Sequence, residues 1–333
     1  MTSTSRSKMP RMLALAALVP AAVLISAAPA AAMNAGEGER SAEEKPTVVL
    51  VHGLWADASG WNEITERLQR DGFPVVATAN PLRGLTGDSE YLAARLKRIE
   101  GPIVLVGHSY GGAVITNAAN GNPNIKSLVY IAGLQPDRGE TALALSAKYP
   151  GSRLSDDPTA PLPTALTAVP IPGPGDPSEN VDLYLKPEKF REVFLSDRLD
   201  PETSDALAAS QRPARPATFA EPSKTPAWKT IPSWAMVATL DYTIGAQNER
   251  FMARRAGSHT VEVDAPHAVH LTDPDAVTDM ILAAAGSSSE DLTPSLARTG
   301  SPEQTRLAAG ISVLALVSGG SLYAFSRRVR TVR

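Results

Sequence analysis

Residues 102–112 read PIVLVGHSYGG. Ile103, Val104, Leu105 and Val106 form an unbroken, mostly β-branched run, the pattern of a parallel strand buried on both faces. A serine flanked by glycines two positions away on either side follows at once: Gly107, Ser109, Gly111. The next residues, AVITNAANG, space their apolar side chains as a helix does. A strand, a sharp turn with serine at its apex and a helix form the expected context of a nucleophile elbow. The alternative is an ordinary glycine-rich strand-to-helix turn, and the rest of the chain has to discriminate between them.

Outward from this stretch, strand-like and helix-like segments alternate. TVVLVHG (47–53) reads as a strand, SGWNEITERLQRDG (59–72) as a helix and FPVVATANP as a second strand. DSEYLAARLKRIEG reads as a helix with Asp88 as N-cap, and IKSLVYIAG (125–133) as the strand after the elbow. PSWAMVATLD (232–241), a helix near 245–256, HTVEVDA (259–265) and a helix over 273–286 complete the series. The expectation is an α/β fold with about six parallel strands, helices on both faces and right-handed crossovers. The core comprises residues 46–134 and 228–286, and residues 135–227 are an insertion. Within it 156–180 is too proline-dense for regular structure, whereas 188–197 and 201–211 read as short helices. An insertion of this length in a compact fold is a lid or binding element, or else a spacer covering the sheet edge.

The ends carry a different grammar. Residues 1–32 have Arg6, Lys8 and Arg11, then an apolar run, then Ala30-Ala31-Ala32, the layout of a secretory signal peptide; a retained anchor is the alternative. Residues 287–306 are polar and rich in serine and proline, a flexible stalk. Residues 307–333 join an apolar segment to the cationic tail SRRVRTVR. Over 307–325 that segment would span roughly 28 Å as a helix, about a bilayer core. With five histidines and no cysteine in 333 residues, a disulfide framework, a thiol nucleophile and a thiolate metal site are excluded. A net charge of −3 without a long basic run argues against nucleic acid as partner.

A serine hydroxyl needs a base, and the base needs an orienting partner. His52 and His108 sit beside glycines at strand-end turns and shape those loops, and His259 precedes a strand on the exposed side. In DAPHAVHLTDP, His267 opens the loop after the last strand, at the sheet edge where Ser109 points; His270, three residues on, is the rival. Asp241 follows an apolar strand directly and is the candidate acid, or merely a helix N-cap; Asp264 is too near His267 in sequence. Oxyanion donors are expected from the backbone N–H of Tyr110, after the serine, and of Leu54, in HGLWADASGW after the first strand. The order serine, acid, histidine is that of α/β-hydrolases. No cofactor or metal is expected.

VLVHGLWADASGW, NPLRGL, VLVGHSYGG, NPNIKSLVYIAG and PHAVHLTDPDAV resemble the small bacterial esterase-like branch of the α/β-hydrolase superfamily, related to plant hydroxynitrile lyases and to methyl- and salicylate-esterases. The resemblance implies ester hydrolysis through Ser109, His267 and Asp241, with Leu54 and Tyr110 as oxyanion donors and a lid over an apolar pocket. The lyases carry lysine after the catalytic histidine and threonine after the first motif's histidine; here Ala268 and Gly53 stand there. LARTG, with Leu296, Ala297, Thr299 and Gly300, resembles a sortase recognition motif, implying cleavage between Thr299 and Gly300 and attachment to the wall of a Gram-positive cell. The alternative is a C-terminal membrane anchor, and in either case the apolar segment enters the membrane, transiently or permanently. The function expected is a secreted, surface-held esterase acting on a small-molecule ester. Alternatives are another reaction on the same triad (perhydrolysis, C–C hydrolysis, cofactor-free oxygenation) or a surface binding protein without catalysis.

Overall fold

The computed structural model describes residues 45–286 apart from 158, 161, 175 and 177–179. The expected signal peptide and stalk, the LARTG motif and the terminal apolar segment lie outside the described residues. Among the described residues no helix is long and apolar enough to cross a membrane.

The chain runs β1 (Thr47–Val51), a 3-10 turn (Ala58–Trp61), α1 (Asn62–Arg70), β2 (Val75–Thr78), α2 (Leu85–Leu96), β3 (Ile103–His108), α3 (Tyr110–Ala118) and β4 (Ile125–Ile131). The insertion holds α4 (Ala142–Ser146), β5 (Leu166–Pro170), β6 (Val181–Leu185), α5 (Pro187–Phe190), a π-helical turn (Arg191–Leu195), α6 (Pro201–Ala209), α7 (Ala217–Ala220) and a 3-10 turn (Ala227–Lys229). The core resumes with β7 (Ser233–Leu240), α8 (Ala246–Ala256), β8 (His259–Pro266), α9 (Val269–Thr272) and α10 (Pro274–Gly286).

Six strands form one parallel sheet in the order β2-β1-β3-β4-β7-β8, as the strand count in the sequence led one to expect. Alternate residues of each strand feed the two layers. Val49, Val51 and Leu105 pack with Leu92 of α2, Val114 of α3 and Met252 of α8; Val48, Leu50, Val104 and Val106 pack with Ile64 of α1 and Ile281 of α10. All six residues of β3 are buried, and each large apolar side chain there contributes roughly 1.5–3 kcal/mol relative to exposure. That burial anchors the strand from which Ser109 projects. After β1 the chain turns outward to β2, and after β3 it turns the other way to β4, so the switch of direction falls between β1 and β3. Ligands of open parallel sheets bind outside the carboxyl ends of the strands at such a switch.

Two local expectations need correction. Asp88 is not an N-cap: α2 begins at Leu85, and the Asp88 carboxylate reaches back from inside the first turn to accept from the N–H of Arg83 and Gly84. The proline-dense part of the insertion is not wholly irregular, because β5 pairs antiparallel with β6. Pro170 ends its strand, where its ring costs the ladder least, and Val181, Leu183 and Leu185 turn their buried faces inward. The segment 188–197 is helical as expected, but it widens into the π-helical turn.

Candidate functional site

Ser109 sits between β3 and α3 with φ 56° and ψ −126°, a conformation that costs a non-glycine residue on the order of 1–3 kcal/mol. The surroundings impose it. Its N–H donates to the carbonyls of Ile131 and Ala132, and its own carbonyl accepts from Gly112 at 2.9 Å and Leu134 at 3.0 Å. Helix α3 lies so close to β1 that a Cβ on Gly111 would stand 2.4 Å from the Val51 carbonyl oxygen. Glycine two residues past the serine is therefore a steric requirement of the elbow.

Three distant parts of the chain meet at this turn. The Ser109 hydroxyl donates to Nε2 of His267 at 2.8 Å, and His267 Nδ1–H donates to Oδ2 of Asp241 at 2.5 Å. The other Asp241 oxygen accepts from the N–H of Thr243, Ile244 and Gly245 at 2.7, 2.8 and 3.3 Å. Asp241 thus caps the turn into α8 and holds the imidazole at once; the two readings of this residue are compatible. Burial pushes its carboxyl up, yet the charge of a protonated His267 and the hydrogen bonds around it prevail and hold it below the ordinary carboxylate range. Ser109, Asp241 and His267 are all buried. A hydroxyl facing an imidazole whose far nitrogen faces an anion can lose its proton as it attacks.

The remaining histidines divide as scaffold. His52 Nδ1–H donates to the Gly53 carbonyl at 2.9 Å and its Nε2 accepts the Asn80 N–H at 3.0 Å, which fixes one neutral tautomer and clamps the loop leading to Leu54. A Cβ on Gly53 would lie 2.6 Å from that of Ser109, so the backbone entering Leu54 abuts the serine. His108 Nε2–H donates to the His267 carbonyl at 2.9 Å, supporting the loop from below. His270, the rival base, is stacked 4.9 Å from Trp61 and 4.2 Å from His108, and burial lowers its pKa to about 3. His259 is exposed, and Asp264 is turned to Arg198 at 2.7 Å.

Tyr110 opens α3, and its hydroxyl donates to the buried Asp88 at 2.8 Å, which pins the residue that follows Ser109. Phe194 of the π-helical turn lies edge-on to His267 with ring centroids 5.1 Å apart, while its carbonyl accepts the Ala268 N–H at 3.1 Å. A cavity of about 720 Å³ opens between α4, the 149–163 segment and Phe219 of α7, which leans on Trp55 at 6.2 Å beside Leu54. A smaller one of about 150 Å³ is lined by Trp55, Phe190, Phe194 and His270. Asp241, Glu249 and His267 each bring one nitrogen or oxygen within 4.8 Å of the others. Both nitrogens of His267 are already engaged, so a cation there would have to displace one of these contacts.

Sequence reasoning missed Asp88 and Glu249 as members of the site's surroundings. The signal for Glu249 was its place on α8 in line with the apolar Met252 and Ala253, three and four residues on, which marks the buried face. Asp88 likewise shares its buried face with Leu92.

The sequence profile described as "Alpha/beta hydrolase family" matches residues 48–280. A carbendazim hydrolyzing esterase of Nocardioides sp. (strain SG-4G) is 33% identical over 113 residues, 30% of this chain and 47% of that esterase, so the chain matches about half the length of that relative. The alpha/beta hydrolase nvfD of Aspergillus novofumigatus is 24% identical over 267 residues, 74% of this chain and 99% of its own. Among solved structures, polyneuridine aldehyde esterase superposes with a TM-score of 0.60 at 20% identity, covering 72% of this chain and 98% of that one, a likeness of fold.

Proposed function

The chain belongs to the alpha/beta hydrolase family, and from that premise we propose that it is a serine esterase, exported and held at the surface of a Gram-positive cell. The reading rests on one observation above all, the unbroken contact from Ser109 through His267 to Asp241.

Ser109 Oγ attacks the ester carbonyl while its proton passes to His267 Nε2. Asp241 keeps the Nδ1–H tautomer in place and stabilises the imidazolium that forms. The N–H groups of Leu54 and Tyr110 receive the oxyanion, each such donor being worth roughly 2.7–4 kcal/mol in comparable sites. Collapse expels the alcohol, which takes the proton back from His267. Water, deprotonated by the same imidazole, then releases the acid and frees Ser109. Residues 135–227 act as the lid, and the cavity bounded by α4, the 149–163 segment and Phe219 receives one arm of the substrate. The basic, apolar and small-residue segments of residues 1–32, together with Leu296, Ala297, Thr299 and Gly300, supply export and wall attachment.

The test is Ser109→Ala in the mature chain. It should abolish p-nitrophenyl ester turnover and labelling by a fluorophosphonate while the melting temperature holds; undiminished turnover removes the nucleophile. Surface attachment is read by mass spectrometry of wall-released protein, where a terminal peptide ending at Thr299 is expected. A chain retained through residue 333 in the membrane fraction would leave the anchor instead.

A further inference from the structure

A buried acid stands against the relay without a stated part in it. Glu249, on α8, is only 3% exposed. Its Oε2 accepts the N–H of Ala238 at 2.9 Å, and its Oε1 meets no donor. What the carboxyl does face is that of Asp241, one oxygen of each lying within 4.8 Å of the other. Two carboxylates so placed offer each other only acceptors, and the contact is repulsive unless one of them carries a proton.

Asp241 is the wrong place for that proton, since its oxygens already accept three backbone N–H groups and the imidazole N–H. We propose that Glu249 is a positioning residue: a protonated carboxylic acid that donates a hydrogen bond to Asp241 and locks its orientation toward His267. The proposal rests on the esterase reading of Ser109, His267 and Asp241. Burial, then the charge of Asp241, raises the Glu249 carboxyl well above its ordinary range. The charged or titratable groups around it are Asp241, His267 and Arg250, and the Arg250 guanidinium is committed to Glu262 at 2.6 and 2.8 Å. The lock has two sides. The turn at 243–245 holds one oxygen of Asp241, and Glu249, itself tied to β7 through Ala238, braces the group from α8.

The experiment compares the wild-type chain with Glu249→Gln, Glu249→Leu and Ser109→Ala, measuring kcat, KM and their pH dependence on p-nitrophenyl acetate, with melting curves and infrared difference spectra at neutral pH. Glutamine is neutral and donates, so kcat should stay within about threefold and the acid limb of kcat/KM should not move. Leucine removes the donor, and kcat should fall about tenfold or more with KM little changed. The spectrum should show the C=O stretch of a protonated carboxylic acid that Glu249→Gln removes. Were Glu249 ionised, Glu249→Gln would delete a negative charge near the imidazole and move the acid limb down by about a pH unit or more. That shift, a missing acid band, or a folded Glu249→Leu with wild-type kcat overturns the proposal. If Glu249→Leu does not fold, the glutamine profile and the spectrum still decide. Full activity in Ser109→Ala would defeat the esterase reading, while the infrared band would still report the proton on Glu249.

Discussion

Replacing Asp241 by asparagine tests the relay at the point where the structure fixes the outcome most tightly. Asparagine is nearly isosteric, so the question is which way its amide faces. Three N–H groups, from Thr243, Ile244 and Gly245, converge on Oδ1. The amide oxygen must take that place, because the reverse orientation forfeits three hydrogen bonds at about 1 kcal/mol each. A difference on the order of 3 kcal/mol leaves the reverse orientation below about one per cent. The amide nitrogen then stands where Oδ2 did, 2.5 Å from Nδ1 of His267, and donates to it. That forces the imidazole proton onto Nε2, facing the Ser109 hydroxyl, and the base has no lone pair to offer. Lost attraction between imidazolium and carboxylate adds up to about 4 kcal/mol at 4 Å and an effective dielectric of 20. Together these terms bound the loss at roughly 3–7 kcal/mol, and we expect kcat to fall about ten-thousandfold, within limits of about 10²–10⁵. Stopped assays on p-nitrophenyl acetate, with a melting curve to show an intact fold, measure it. A folded Asp241→Asn enzyme within tenfold of wild type, alongside an inactive Ser109→Ala, would place the acid elsewhere.

Two further outcomes follow from packing and from titration. Gly111→Ala puts a methyl group 2.4 Å from the Val51 carbonyl, so α3 must shift from β1. Urea unfolding should show a loss of about 1–3 kcal/mol, and esterase activity should drop with it. His108 and His270 are held neutral in the fold, chiefly by burial, with pKa values lowered from 6.5, that of His270 to about 3. Because the folded values lie below the unfolded one, their contribution is complete above about pH 6.5 and is lost as pH falls toward 3, at about 1.4 kcal/mol per unit for each fully shifted group. Urea midpoints should therefore decline between pH 7 and 5, less steeply in His270→Phe, which keeps a ring against Trp61; an equal slope in both would remove His270 from the account.

How far the sequence carries depends on how local the determining force is. The β3 segment is legible because burial on both faces leaves an unbroken apolar run, and the two glycines about Ser109 report a backbone packed too tightly for a Cβ. The position of His267 follows from strand order alone, since the loop after β8 returns to the carboxyl edge. Asp88 misleads for a physical reason. An acid near a helix start serves the same free N–H groups as a cap or from within the first turn, and Gly84 at φ 149°, the actual N-cap, sets the boundary four residues before Asp88. The β5–β6 hairpin was obscured by its prolines, although VDLYL alternates in the manner of a half-buried strand. The π-helical turn holding Phe194 has no periodic signature of its own. Glu249 could be placed on a buried helix face, but its meeting with Asp241 depends on how α8 lies against β7, which no local pattern encodes.

Four of the five histidines lie buried within a few residues' width of one another, and the same side chain does different work at each place. What separates them is the partner of the second nitrogen. His52 has a carbonyl on one side and an N–H on the other, so proton gain would cost it the Asn80 contact. His108 has a carbonyl on Nε2 and nothing on Nδ1, and His270 has aromatic rings for neighbours. A buried imidazole without an anion resists protonation. His267 alone among them has a carboxylate on one nitrogen and a hydroxyl on the other. It can therefore take up a proton in a buried site and give it back, while its neighbours stay neutral and add no competing positive charge. On the proposed esterase reading, the neutral histidines are part of the reason a single imidazole serves as base: were His108 or His270 to charge, repulsion across a few ångströms would oppose the imidazolium formed as Ser109 attacks.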